Sequence, residues 1–173
     1  METKTIPESG MTFGPFDEDL VFHVEKSQTY KNIEENVKIC EFFYLDRKNA
    51  NERVVILEAK SSSPHPGNKT DFPNYTWEIL EKFSNTMQLA ISTLLFRHES
   101  AKQEVPQPFK KLNLETANFH FILVIRGHKS EWLDPLKSEL AHLLIPTKKL
   151  WNLKEPVITV INEDIARKRG LTK

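Results

Sequence analysis

VKICEFFYLDRKNANERVVILEAK, residues 37 to 60, holds two runs rich in β-branched and aromatic side chains, Val37 to Leu45 and Arg53 to Lys60, around the polar segment Asp46 to Glu52. Such runs flanking a polar turn read as an antiparallel hairpin. Folding the hairpin about its middle sets Glu41 opposite Glu58. Side chains alternate faces along a strand, so Val37, Ile39, Glu41 and Phe43 share a face with Val54, Ile56, Glu58 and Lys60. Two carboxylates facing each other in an apolar row repel and lose hydration, so folding alone would not select them. A cation between them is expected.

The elements downstream are mostly periodic. After Lys60, Ser-Ser-Ser-Pro-His-Pro-Gly-Asn reads as a loop at a strand's carboxyl end. From Asn74 to His98, Trp77, Leu80, Phe83, Met87, Ile91, Leu94 and Leu95 recur at helical steps and predict an amphipathic helix packed on a sheet. Residues 99–118 are polar with two prolines and are expected as a long mobile loop, a lid or partner contact. Phe119 to Arg126 predicts a strand buried on both faces. A helix starting at Ser130 or Asp134 and stopping at Pro146 follows, then a polar turn region, a strand Val157 to Ile161, and a last helix capped by Asn162. Upstream, residues 1–16 carry Pro7, Gly10, Gly14 and Pro15 and read as a flexible N-terminal arm. Asp17 to Ser27 fits a strand or a short helix; its Val and Phe content favours a strand that completes a three-stranded meander. Antiparallel strands followed by helix-connected strands predict an α/β fold with a mixed sheet, in one domain of 173 residues.

Lysine and arginine (24) balance aspartate and glutamate (24), so a polyanion site has to be a local patch and not a general field. Arg126, His128 and Lys129, Lys110 with Lys111, Lys148 with Lys149, and Arg167 to Arg169 are the available phosphate contacts. A lone cysteine, Cys40, no apolar leader and no membrane-length run give the expectation of a soluble cytoplasmic protein with no membrane contact.

Glu58-Ala59-Lys60 at the end of an apolar strand, with an acid on the preceding hairpin strand and this order of elements, resembles the PD-(D/E)XK nuclease superfamily, whose core is the restriction-endonuclease-like fold. The first acid is Glu41 in an Ile-Cys-Glu-Phe context, where the family has Asp after Pro. The resemblance implies a metal-dependent nuclease cutting DNA or RNA. Glu41, Glu58 and the backbone carbonyl of Ala59 would hold Mg²⁺ or Mn²⁺, with Glu25 as a further carboxylate for a second ion. Lys60 would complete the catalytic set, and Ser61 and Ser62 would contact substrate phosphate. Gln88 resembles the glutamine of the Gln-x-x-x-Tyr found in RecB-like members, although the later position here is Ser92. The alternative is a catalytically inactive nuclease-like module that binds a protein partner through residues 99–118, with Lys60 and the glutamates as an ionic cluster at a strand end.

Overall fold

A computed structural model describes residues 2–47 and 52–173; residues 48–51 of the expected hairpin turn lie outside the described residues. In chain order the elements are β1 (Thr3–Glu8), β2 (Met11–Asp17), β3 (Val21–Phe22), α1 (Gln28–Lys31), β4 (Phe42–Asp46), β5 (Arg53–Lys60), α2 (Asp71–Leu94), α3 (Ala101–Glu104), α4 (Gln107–Lys110), β6 (Asn118–Ile125), α5 (Leu133–Leu143), α6 (Ile145–Trp151), β7 (Ile158–Asn162) and α7 (Glu163–Lys168). The chain is a mixed α/β protein. A five-stranded sheet runs β3-β4-β5-β6-β7, antiparallel as far as β5 and parallel from β5 to β7, and β1 and β2 form a separate antiparallel pair.

The sheet is covered on both faces. On one side α2, α3, α4 and α5 bury Phe83, Met87, Ala101, Phe109, Leu136 and Leu140 against Phe43, Val54, Ile56, Phe121 and Leu123. Phe83 and Phe121 rings meet at 4.9 Å, and Phe43 and Phe109 at 5.4 Å edge to face. On the other side the β1–β2 pair and α7 bury Ile6, Phe13 and Ala166 against Phe42, Val55, Leu57 and Val124. Burial on both faces explains the unbroken apolar sequence of β6, every residue of which is buried.

Four expectations are corrected. Residues 1–16 do not form an arm: Ser9 and Gly10 both have positive φ, as a tight type I′ hairpin turn requires, and Gly14 and Pro15 fall where the register slips by one residue. The prolines and glycines that suggested disorder therefore build a hairpin, which the carboxyl terminus ties down through Gly14 N–H to Leu171 O and Lys173 N–H to Thr12 O. Asp17 to Ser27 is mostly 3₁₀ turns, with only Val21 and Phe22 as strand. Residues 99–118 hold α3 and α4, and Ala101, Val105 and Phe109 anchor them in the core. Pro146 does not end helical structure; it sits in the first turn of α6, where a missing N–H costs nothing.

The first strand of the 37–60 hairpin is also shorter than its pattern suggests. Residues 38–40 leave the sheet and run beside α2, because α2 side chains satisfy their backbone: Asn85 Nδ2 donates to Lys38 O at 3.0 Å and Thr86 Oγ1 accepts from Cys40 N–H at 2.7 Å. The stripe of α2 is rotated from the one expected. Thr76, Thr86 and Thr93 are fully buried alongside Ile79, Phe83 and Ala90, while Trp77 and Leu95 are more than half exposed. Thr76 and Thr86 donate their hydroxyls to carbonyls within the helix, Pro73 O and Lys82 O, which lets them pack as small apolar residues. No helix among the described residues is long and apolar enough to cross a membrane.

Candidate functional site

Phe42 pairs with Leu57 and Phe43 with Ile56, a register that carried one residue further puts Glu41 across from Glu58. Glu58 occupies the sixth of the eight positions of β5, on the face covered by α2, and is fully buried; Glu41, at the bend before β4, is 5 % exposed. Both therefore lie at the carboxyl end of the parallel strands, where open α/β sheets place their ligands.

The cation expected between the carboxylates comes partly from α2. Lys82 Nζ is 2.7 Å from Glu58 Oε1, and Lys60 Nζ is 3.5 Å from the same oxygen and 2.9 Å from Glu78 Oε1. Glu78 and Lys82 are one helical turn apart, so a single face of α2 supplies both. The remaining oxygens, Glu41 Oε2 and Glu58 Oε2, are sealed from solvent with no hydrogen-bond partner among the described residues, and so is the hydroxyl of Tyr75, one turn before Glu78.

Burial, followed by the nearby charges of Glu58, Glu25 and Glu8, pushes the Glu41 carboxyl up to about 9. Glu58 is also raised by burial, with Lys82 and Lys60 pulling the other way. Burial raises Tyr75 as well, and Glu58 and Glu78 add to that effect. Glu78 is lowered, chiefly by its bond from Lys60. The pair is thus uneven: Glu58 has its counter-ions, whereas Glu41 sits among acids with only Lys82 nearby to offset them. A divalent cation bound by the two free oxygens would remove that imbalance.

Glu25 joins this group, donating its backbone N–H to Glu41 O at 3.3 Å. With it come two residues that strand patterns did not single out, Glu8 at the end of β1 and His23 just after β3; one ligand atom from each of Glu8, His23 and Glu25 lies within 4.8 Å of the other two. Their signal was hidden, because Glu8 belongs to a segment read as an arm. Lys82, Glu78 and Tyr75 were hidden differently: they lie on the predicted helix, but a stripe that includes the exposed Trp77 is rotated from the buried face and does not single them out.

The other expected residues fare less uniformly. Ala59 O accepts a hydrogen bond from Ser9 Oγ at 3.0 Å, so one lone pair of the anticipated ligand carbonyl is used by the β1–β2 turn. Ser61 and Ser62 are exposed just beyond Lys60. Gln88 is exposed on α2, away from the buried carboxylates; Lys82 and Glu78 are what that helix contributes. Cys40 is fully buried, and its burial and the charge of Glu58 push the thiol well up, which excludes a reactive thiolate.

No protein-family model matches the chain, nor does any curated protein or any solved structure.

Proposed function

We propose that the chain is a metal-dependent phosphodiesterase acting on DNA or RNA in the manner of PD-(D/E)XK nucleases, with Glu41, Glu58 and Lys60 as its central residues. The observation that carries this reading is the pair of buried carboxylates, each with an oxygen that no other described group satisfies. An unsatisfied buried polar group costs about 1–3 kcal/mol, and carboxyls perturbed by burial and by one another cluster at functional sites. Mg²⁺ or Mn²⁺ held there would polarise a phosphodiester and lower the pKa of a bound water.

The chain's own groups divide the remaining tasks. Glu41 and Glu58 present Oε2 atoms as hard oxygen ligands and exclude bulk water from one side. Lys60, with its side chain 23 % exposed, stands at the rim between the buried pair and solvent, where its ammonium offsets charge developing on phosphorus. Ser61 and Ser62 on the exposed segment past β5, and Arg126 just after β6, are the groups at this end of the sheet proposed to contact a nucleic-acid backbone.

The rival, an inactive nuclease-like module, draws support from two contacts: Lys82 occupies Glu58 Oε1, and Ser9 occupies the Ala59 carbonyl. In that case the cation is simply lysine. Labelled single- and double-stranded DNA and RNA, incubated with Mg²⁺ or Mn²⁺, separate the two. Cleavage abolished in Glu58→Gln and lowered 100-fold or more in Lys60→Ala is the expected result. Absence of cleavage on every substrate, with a partner captured by the wild type and lost on exchanging the exposed Lys102 and Lys111 for glutamate, favours the module.

A further inference from the structure

We infer that Glu8, His23 and Glu25 form a second cation site, suited to a divalent transition metal, with the buried carboxylate of Glu41 nearby. Two segments distant in sequence converge to make it: the end of β1 at its tight turn, which brings Glu8, and the stretch after β3, where His23 precedes the 3₁₀ turn Val24–Lys26 that carries Glu25. One ligand atom from each lies within 4.8 Å of the others. Ligands about 2.0–2.2 Å from one ion stand at most about 4.4 Å apart, so small rotamer movements would complete the shell.

Two independent features point to a ligand. His23 Nε2 is closed to solvent and has no hydrogen-bond partner among the described residues, an unusual state for an imidazole nitrogen beside two carboxylates. Glu41, nineteen-twentieths buried, has an unpartnered Oε2 and lies close enough to feel the charges of Glu8 and Glu25. Lys26 is the competing cation, but its contact with Glu25 is 3.4 Å and its side chain is two-thirds exposed, so the pair is weak and easily displaced.

The donor set decides the metal. A hard, oxygen-only shell would suit Mg²⁺ or Ca²⁺, whereas an imidazole nitrogen with carboxylates favours Mn²⁺, Zn²⁺ or a neighbouring first-row ion. Occupancy of this site does not require that the Glu41–Glu58 pair cleave anything.

Isothermal titration with Mn²⁺, Zn²⁺ and Mg²⁺ separately tests the site on the full chain. Wild type should take up one equivalent of Mn²⁺ or Zn²⁺ at least tenfold more tightly than Mg²⁺. His23→Ala and Glu8→Gln should each weaken that binding tenfold or more, and Glu58→Gln should retain it. Proton–nitrogen NMR of the wild type gives a readout that needs no variant: Zn²⁺ should shift the ring resonances of His23 and leave those of His65 and His128 in place. No uptake at millimolar Mn²⁺ or Zn²⁺, or ring shifts confined to other histidines, overturns the site. Binding lost in Glu58→Gln but kept in His23→Ala also overturns it, by moving the ion to the Glu41–Glu58 pair.

Discussion

Among the described residues Glu41 has no ion-pair partner, and that gives the protein a pH dependence of definite sign. Its carboxyl, ordinarily near 4.5, is raised to about 9 by burial first and by Glu58, Glu25 and Glu8 next, with Lys82 opposing. Between those values the folded chain holds a proton that the unfolded chain releases, so stability present at low pH is lost as pH rises toward 9. From about pH 7 to about pH 8.5 this one group removes about 2 kcal/mol. His23, His120 and His128, all lowered, act below that window and in the opposite direction. Urea unfolding in the presence of a chelator should therefore show the wild type losing stability over that interval, and Glu41→Gln losing less by about 2 kcal/mol. Equal losses in the two proteins would show that Glu41 is already ionised in the fold.

At the level of elements, the β1–β2 hairpin is what turns a pair of carboxylates into a crowded acidic site, since it delivers Glu8 and lays Ser9 on Ala59. Its geometry depends on Gly14, at φ 93°, where an added Cβ would stand 2.8 Å from Phe16 N and 2.9 Å from Lys4 O. Gly170 has φ 70° and open space around it. Gly170→Ala should cost about 1 kcal/mol, the price of the left-handed backbone alone, and Gly14→Ala at least about 3 kcal/mol because backbone atoms must also move. Urea midpoints check the contrast, and similar costs would mean that the hairpin yields without strain. The same element marks where the sequence could be read and where it could not. Periodicity identified β5, β6 and β7, because strands packed on both faces carry long apolar runs. The hairpin escaped notice, since Pro7, Gly10, Gly14 and Pro15 serve equally in a loose arm and in an edge pair with a bulge. The threonines of α2 misled for a related reason: a hydroxyl that bonds to its own helix counts as polar in a pattern but packs as apolar in the core.

For the whole molecule, a five-stranded mixed sheet between a helical layer and a hairpin layer places β5 centrally, so that its carboxyl end is reached from α2, from the turn of β1–β2 and from the segment before β4. Glu41 and Glu58 were legible because the strand register depends only on where the hairpin folds. Lys82, Tyr75, His23 and Glu8 were not, because their approach is set by the packing of layers, which no local pattern encodes. A site assembled from so many elements should couple metal binding to the stability of the entire fold. Thermal unfolding with rising Mg²⁺ at about pH 8 measures this most directly, since Mg²⁺ prefers an all-oxygen set such as the proposed Glu41–Glu58 pair to one with an imidazole ligand. The wild-type midpoint should climb with Mg²⁺, by the equivalent of about 2.7 kcal/mol at one hundred times the dissociation constant, while Glu58→Gln should not respond; an unchanged midpoint in the wild type up to millimolar Mg²⁺, or an equal rise in the variant, would contradict a metal-dependent site at these carboxylates.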